Sequence, residues 1–263
     1  MKKKDDKKQI YLHIGIQRTG TTFLQEEVFP NIKEINFVER KKEIITILMS
    51  IEQYNHEIVS KKIYSHIQQN KINLISEENI YCGYMWTKED NRFEKIEKIK
   101  QFFPNAKIIF GIRGKTDLLL SWYKKYVACG GVLSFKEYQK KVINIENLNF
   151  WPYVKCLFEY FGEKNVYIYK FENMKKDIHS FVDGICRFLG VETPNFKNRK
   201  RNVGYSLYQL KMSLLINKFF KTPLNPNGVF PLQYGRHPHR KIFQSPYFPQ
   251  KLRGKKFTIQ DLK

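Results

Sequence analysis

Short apolar segments rich in β-branched residues recur along the chain, separated by longer segments in which apolar residues have helical spacing. The short segments predict buried strands at 10–14, 72–76, 107–112 and 166–170. The longer ones predict helices at 21–28, 41–49, 56–69, 92–103, 116–128, 135–142, 151–161 and 180–189. Strands that alternate with helices predict an α/β fold with a central parallel sheet covered on both faces. In such sheets ligands bind beyond the carboxyl ends of the strands.

The last part of the chain has a different character. A further helix is predicted from Tyr205 to Phe220, and residues 221–253 then combine prolines, aromatic and basic residues with little periodicity. This composition is typical of a long loop region, which either lines a binding cleft or wraps the surface. The length of 263 residues and the lack of a strong linker predict one domain, 1–263, with a core at about 10–220 and a loop-rich, cleft-lining segment at 221–263. The final FTIQDLK resembles the start of a helix.

The chain is strongly basic. It has 47 Lys and Arg against 25 Asp and Glu, a formal net charge of +22. Most of these charges belong to a solvated, lysine-rich surface, but the excess favours anionic ligands such as polyphosphate-like cofactors, acidic glycans, nucleic acid or a membrane surface. The cysteines at 82, 129, 156 and 186 have no metal or redox spacing, and no signal peptide or membrane-spanning run is evident. We therefore expect a cytoplasmic protein, with peripheral membrane contact left open.

The segment IYLHIGIQRTGTTFLQ, residues 10–25, runs from a strand through a glycine-framed loop into a helix. Gly15, Gly20 and Thr22 have the spacing of the phosphate-binding motif G-x-x-x-x-G-K-[ST], with Thr21 in place of the lysine. Backbone N–H groups of a first helical turn bind anions, and Arg18 can supply a cation. The alternative is an ordinary strand-to-helix turn capped by a threonine. Without the lysine, the loop predicts binding of a phosphate ester rather than ATP chemistry.

A second candidate anion site follows the strand at 107–112. In KIIFGIRGKTDLLLSWYKKY, Arg113 stands at the strand end and Ser121 lies two helical turns later. A guanidinium binds two phosphate oxygens at once and a hydroxyl adds one more donor. Each residue alone could be structural, but together they predict recognition of a phosphate monoester.

These two motifs, with FENMKKDIHSFVDGICRFLGV at 171–191, resemble the sulfotransferases that use 3′-phosphoadenosine 5′-phosphosulfate (PAPS), of the bacterial or carbohydrate type. The resemblance covers about residues 10–206 and implies a P-loop NTPase-like three-layer fold around the parallel sheet, PAPS or its product PAP as cofactor, and no metal. It places the cofactor's 5′-phosphosulfate on Gln17, Arg18, Thr19, Gly20, Thr21 and Thr22. It places the 3′-phosphate on Arg113 and Ser121, with the basic stretch 199–202, and Arg201 in particular, as a further contact. Arg18 stands where many members have lysine and would steady the leaving phosphate, and Gln17 replaces the usual proline.

The strand at 72–76 leads into the sequence SEENIY. In the carbohydrate sulfotransferases a glutamate just after this strand takes the acceptor's proton, which implies that Glu78, or else Glu77, is the catalytic base. Two adjacent carboxylates could instead be a solvated loop or a pair at a helix start. We expect His13 to pack beside the loop. His237 and His239 are candidate acceptor or anion contacts and weak evidence for a metal.

The sequence thus predicts transfer of a sulfuryl group from PAPS to a hydroxyl, or an amine, of an acceptor that is a saccharide or a lipid-linked saccharide. Two rivals remain. The first is a P-loop nucleotide kinase or NTPase, against which the missing lysine argues. The second is a basic protein that binds nucleic acid or acidic glycans without catalysis. We expect a nucleotide donor as partner and no nucleic acid.

Overall fold

The computed structural model describes residues 9–38, 40–81, 90–198, 205–231, 243 and 257–262. These residues form two compact units. The first contains the described residues of 9–113 and 149–198, and the second contains those of 114–148 and 205–262. The single domain expected from the sequence stays a prediction.

A parallel sheet forms the centre of the first unit. Its strands within the described residues are β1 (Gln9–Gly15), β2 (Ile35–Phe37), β3 (Ile72–Ser76), β4 (Lys107–Ile112) and β5 (Val166–Lys170), in the order β2-β3-β1-β4-β5. All neighbouring strands pair in parallel. The predicted α/β class and central parallel sheet are confirmed. The strand β2 was not predicted, because this edge strand is only three residues long and has a polar residue, Asn36, at its centre. The Asn36 amide donates to Asn73 Oδ1 (2.8 Å).

The helices follow the predicted segments closely. In chain order they are α1 (Thr21–Phe23), α2 (Lys42–Met49), α3 (His56–Lys62), α4 (Arg92–Phe102), α5 (Lys115–Ala128), α6 (Phe135–Lys141), α7 (Trp151–Phe161), α8 (Phe171–Lys176), α9 (Ile178–Leu189) and α10 (Leu207–Asn217). A π-helical turn, Leu24–Val28, continues α1, and a two-stranded pair follows α10, formed by β6 (Phe220–Lys221) and β7 (Phe230–Pro231). Within the described chain, no helix is both long and apolar enough to cross a membrane.

Two predicted helices are longer than the observed ones. The helix expected over 56–69 ends at Lys62, since the chain turns there and Tyr64 stacks on Phe103 with ring centroids 5.5 Å apart. The helix expected over 205–220 ends at Asn217, whose amide donates to the Val127 carbonyl (2.8 Å). In both cases a tertiary contact of one side chain outweighs the local helical pattern.

The core of the first unit lies between the sheet and α9. The Asp177 side chain accepts hydrogen bonds from the backbone N–H groups of His179 and Ser180 and so starts α9. One face of this helix is buried with β1 and β5 in a single apolar cluster. Close approach of two strands shapes the centre of that core. A Cβ at Gly111 on β4 would lie 2.4 Å from the ring of Tyr169 on β5, so only glycine leaves room for this tyrosine.

The second unit is organised around the contact of α5 with α10. Ser134 begins α6 with a capping box that includes Glu137. The rings of Tyr123, Tyr126 and Tyr138 pack against one another with centroids 4.8 to 6.3 Å apart. Aromatic packing of this kind gives the short helices a core of their own.

Candidate active site

The phosphate loop, residues 15–22, leaves β1 and enters α1. The Ile16 N–H donates to the Gly111 carbonyl (3.2 Å), which ties the start of the loop to β4. Arg18 and Gly20 both have left-handed backbone conformations, with φ of 76° and 94°. For a non-glycine residue this conformation is strained and persists only where the surroundings hold it. The loop is therefore bent in the way that presents the N–H groups of the first helical turn to one side, as an anion cradle requires.

Two side chains hold the bent loop. Thr19 is fully buried, and its Oγ1 donates to the Ile16 carbonyl (2.7 Å). Arg113 donates from Nη1 to the Arg18 carbonyl (3.0 Å), and its guanidinium lies 4.6 Å from the ring centroid of Phe171. The structure thus brings together two residues, Arg18 and Arg113, that the sequence assigned to separate phosphate contacts.

Glu77 is a structural carboxylate. It is fully buried, and its Oε2 forms a salt bridge with Arg40 Nη2 at 2.7 Å. Its Oε1 accepts hydrogen bonds from the backbone N–H of Asn79 (3.0 Å) and from the Asn79 amide. Both oxygens of Glu77 are therefore already bound within the protein.

Glu78 has a different environment. It follows β3, whose Ser76 is in register with His13 of β1, and this register carries Glu78 to the edge of the phosphate loop. Its carboxylate accepts from Gln25 Nε2 (3.1 Å), and the side chain of Thr21 is near enough to influence its pKa. The residue is half-buried.

The electrostatics of Glu78 suit a base. Burial raises the pKa of its carboxyl above the ordinary value, and the Glu77 carboxylate adds to the rise. The Arg40 guanidinium, the hydrogen bond from Gln25 and the nearby Thr21 side chain oppose it. A carboxylate with a raised pKa at the edge of the phosphate loop is suited to accept a proton.

His13 packs beneath the loop, as predicted. It is fully buried, with Nδ1 2.7 Å from Ser76 Oγ and Nε2 3.0 Å from the Tyr169 hydroxyl. Burial lowers the pKa of His13 to about 3, and the charge of Arg40 acts in the same direction. The imidazole is therefore neutral at physiological pH.

The buried histidine predicts a loss of stability in acid. The unfolded chain binds a proton at an ordinary histidine pKa near 6.5, whereas the folded chain does not until about pH 3. The stabilisation is complete above pH 6.5 and is lost as the pH falls, so the free energy of unfolding should drop by about 3 kcal/mol from this group between pH 7 and pH 4. Urea unfolding at these two pH values measures the change.

His13→Gln is the matched variant, because glutamine keeps a donor near Nε2 and does not titrate. We expect this variant to be less stable at pH 7 but to lose about 3 kcal/mol less than the parent on acidification. An equal loss in both proteins would show that other groups cause the acid sensitivity.

A cleft of about 770 Å³ lies beside the phosphate loop in the first unit. Thr22, Gln25 and Arg40 border it at the loop end, and it extends along β2. The rest of its lining combines apolar and polar side chains: Glu26, Phe29, Pro30, Ile32, Ile35, Asn36, Phe37, Gln68 and Lys71. The cleft is large enough for a small organic acceptor.

Two residues of the site, Gln25 and Arg40, were not predicted from the sequence. Gln25 accepts from Arg40 Nη1 (2.5 Å) and donates to Ser76 and Glu78, so it connects the cleft to the candidate base. It stands four residues after Thr21, on the same side of the helical segment, and this spacing was a usable signal. Arg40 could not be predicted as a site residue, because it belongs to a charged run that is typical of solvent-exposed surface.

The other predicted site residues lie in different parts of the chain. Gln17 is buried and its amide donates to Asn79 Oδ1. Ser121 lies buried on α5 in the second unit, and its role in binding the 3′-phosphate stays a prediction. Arg201 and the stretch 199–202, His237, His239 and most of the loop-rich segment lie outside the described residues. Among the residues that are described, no group of three or more His, Cys, Asp or Glu side chains is placed to hold a metal ion.

Comparison with known proteins agrees with this geometry. The family model of the sulfotransferase domain matches residues 9–213. The chain therefore belongs to the sulfotransferase family, whose members take the sulfuryl group from PAPS, and the protein is an enzyme of that family. It shares the P-loop-like fold of the sulfotransferase from Alicyclobacillus acidocaldarius, with a TM-score of 0.54 at 17% identity over 79% of this chain and 92% of that one.

Another similar structure is mouse sulfotransferase SULT7A1 complexed with PAP, with a TM-score of 0.46 at 19% identity over 73% of this chain and 61% of that one. No curated protein matches the chain significantly.

Proposed function

We propose that the protein transfers the sulfuryl group of PAPS to a hydroxyl group of a saccharide or lipid-linked saccharide, with Glu78 as the base. One observation carries the proposal: the half-buried Glu78 carboxylate stands at the edge of the phosphate loop and accepts a hydrogen bond (3.1 Å) from Gln25, whose side chain borders the cleft. A base in this place is within reach of an acceptor that attacks a group held by the loop.

The loop supplies the donor contacts in this proposal. Backbone N–H groups of residues 19–22 and the Arg18 guanidinium bind the 5′-phosphosulfate, and Arg113, which also holds the Arg18 carbonyl, contributes its guanidinium to the 3′-phosphate. PAPS supplies the sulfuryl group. As the acceptor oxygen bonds to sulfur, the bond between sulfur and the phosphate oxygen breaks, the acceptor's proton passes to Glu78, and PAP leaves. Arg18 and the loop amides stabilise the negative charge that develops on the departing phosphate.

The cleft beside the loop supports a saccharide acceptor. Its lining pairs aromatic rings with amide and charged side chains, as in Phe37, Gln68 and Arg40. Such a lining can cover the apolar face of a sugar ring and hydrogen-bond its hydroxyl groups. Arg40 and Lys71 also favour an acceptor that already carries negative charge.

The first test is donor binding without metal. PAP at 100 times its Kd should stabilise the protein by about 2.7 kcal/mol in the presence of EDTA and raise the unfolding midpoint by about 5–10 °C, because amides and arginines supply the contacts. ATP with magnesium and a single-stranded oligonucleotide are the comparison ligands. If ATP stabilises the protein more than PAP does, and only with magnesium, the result favours a P-loop nucleotide kinase or NTPase. If only the oligonucleotide stabilises it, the result favours a nucleic-acid binding protein without catalysis.

The acceptor is sought with radiolabelled PAPS and a panel of chitohexaose, heparosan hexasaccharide, galactosylceramide and a simple phenol. We define the reference acceptor as the compound with the highest rate of transfer. Fastest transfer to the phenol would overturn the saccharide assignment and leave the donor assignment intact. The cytoplasmic location, and any peripheral membrane contact, stay predictions from the sequence.

A further inference from the structure

A continuous line of hydrogen bonds crosses the first unit beneath the candidate active site. It starts at the Glu78 carboxylate and ends at the Tyr169 hydroxyl, beside Thr19 of the phosphate loop. We call it the buried chain; its members are Gln25, Ser76, His13 and Tyr169. Each of these four residues is less than 9% exposed, so water does not compete for their hydrogen bonds.

The chemistry of the donors fixes the direction of the chain at its first step. Arg40 can only donate, so the Gln25 carbonyl oxygen faces Arg40 and the Gln25 amide nitrogen faces the other way. The two hydrogens of that nitrogen then go to Glu78 Oε2 (3.1 Å) and Ser76 Oγ (2.8 Å).

The same logic assigns the remaining steps. Ser76 Oγ accepts from Gln25, and its own hydrogen is donated to His13 Nδ1. The neutral imidazole then carries its hydrogen on Nε2 and donates it to the Tyr169 oxygen (3.0 Å). Thr19 uses its own hydrogen on the Ile16 carbonyl and lies beside the Tyr169 hydroxyl. One hydrogen of the Gln25 amide goes to Glu78, and the donors that follow, from the other Gln25 hydrogen to Ser76 and His13, all point away from Glu78.

We propose that the buried chain is a positioning device that fixes the Glu78 carboxylate relative to the phosphate loop. This inference rests on the proposed role of Glu78 as the base. The device acts because each member is held by the next. A break loosens the members between it and Gln25, so the Gln25 amide that binds Glu78 is less well fixed even though Arg40 still binds its carbonyl oxygen. The carboxylate is then displaced from its position relative to the acceptor. Displacement of a base by a fraction of an ångström lowers the rate of the chemical step more than it lowers binding.

The experiment breaks the chain at both ends. Ser76→Ala removes the hydroxyl that joins Gln25 to His13, and Tyr169→Phe removes the hydroxyl that His13 binds at the other end. Tyr11→Phe is the matched control: it deletes a buried tyrosine hydroxyl from the same sheet, bonded to the Phe188 and Leu189 carbonyls and outside the chain. Each variant is made alone and together with Glu78→Gln. The kcat and KM for the reference acceptor, the PAP Kd and the unfolding midpoint are measured.

We expect Ser76→Ala and Tyr169→Phe each to lower kcat about tenfold, with KM and the PAP Kd within about threefold of the parent, and Tyr11→Phe to change kcat less than about twofold. In the Glu78→Gln background the two chain breaks should cause no further loss of kcat, because the group they position is gone.

The pH profile gives an independent readout. In Ser76→Ala, Gln25 is held by Arg40 alone and its hydrogen bond to Glu78 weakens, so the pKa of Glu78 should rise further and the acid limb of kcat should move to higher pH. Glu77, Arg40 and Tyr169, the other ionisable groups that act on Glu78, are still present in this variant.

Three results would overturn the proposal: chain breaks that match Tyr11→Phe in kcat, an equal loss in the Glu78→Gln background, or an acid limb that does not move. If Ser76→Ala does not fold, the kcat comparison of Tyr169→Phe with Tyr11→Phe decides. A wild-type rate in Glu78→Gln itself would be a different failure, since it removes the base assignment of the proposed function and the positioning role together.

Discussion

Glu78→Gln should lower the rate of sulfuryl transfer to the reference acceptor by about 10²–10⁴-fold and leave PAP affinity nearly unchanged. Glutamine keeps the size of the side chain but cannot take a proton from the acceptor. The donor contacts lie on the loop, so they remain. Steady-state kinetics with saturating PAPS and titration calorimetry with PAP measure the two effects.

The pH profile of the parent enzyme tests the same residue. A base must be deprotonated to act, and burial holds the pKa of Glu78 above its ordinary value. Activity should therefore fall as the pH drops through this raised pKa, and Glu78→Gln should abolish that dependence in the residual rate.

Glu77→Gln is the comparison variant for this prediction. Glu77 is paired with Arg40 inside the protein, so its replacement should lower the unfolding midpoint rather than the chemical rate. If Glu77→Gln folds and loses activity while Glu78→Gln does not, the base is Glu77. If both retain activity, the base lies elsewhere, with His237 and His239 as the next candidates.

Arg113→Ala should weaken PAP binding by about 10- to 100-fold. The substitution removes a charge-assisted contact worth about 1.5–3 kcal/mol. It also removes the donor that holds the Arg18 carbonyl, so the strained loop loses part of its support. Titration of PAP into the variant measures the loss.

Two control variants separate the contact made by the Arg113 guanidinium from a general effect of net charge. Arg113→Lys should recover only part of the affinity, since an ammonium cannot reproduce the two-pronged contact of a guanidinium. Arg187→Ala removes the same charge from an exposed position on α9 and should leave PAP affinity unchanged. An equal loss in Arg187→Ala would attribute the effect to net charge, and unchanged affinity in Arg113→Ala would place the phosphate contact elsewhere.

Features with a local cause could be predicted from the sequence. The strands β1, β3, β4 and β5 are short segments rich in apolar residues, because helices flank the sheet. The phosphate loop has its glycines at fixed spacing, because the turn needs left-handed backbone at Gly20. Both signals are contained within a few consecutive residues, so they can be recognised before the fold is known.

Features with a distant cause could not be predicted. The short edge strand β2 forms because Ile35–Phe37 pairs with β3. Three residues are too few to show the alternation of apolar and polar residues that identifies a strand in a sequence. The difference between Glu77 and Glu78 depends on Arg40, which is 37 residues from Glu77 in the chain. Adjacent carboxylates look alike in a sequence, and only the folded chain shows which one is paired.

The contact between Gly111 and Tyr169 also has a consequence for the history of the family. A larger residue at position 111 would occupy the space of the tyrosine ring, so the two positions cannot vary independently. Relatives that carry a side chain at the position of Gly111 should carry a smaller residue in place of Tyr169, and they should then lack the hydroxyl that meets His13. An ancestor could have passed from the glycine-tyrosine arrangement to the other only in one order, with the tyrosine replaced before position 111 gained a side chain.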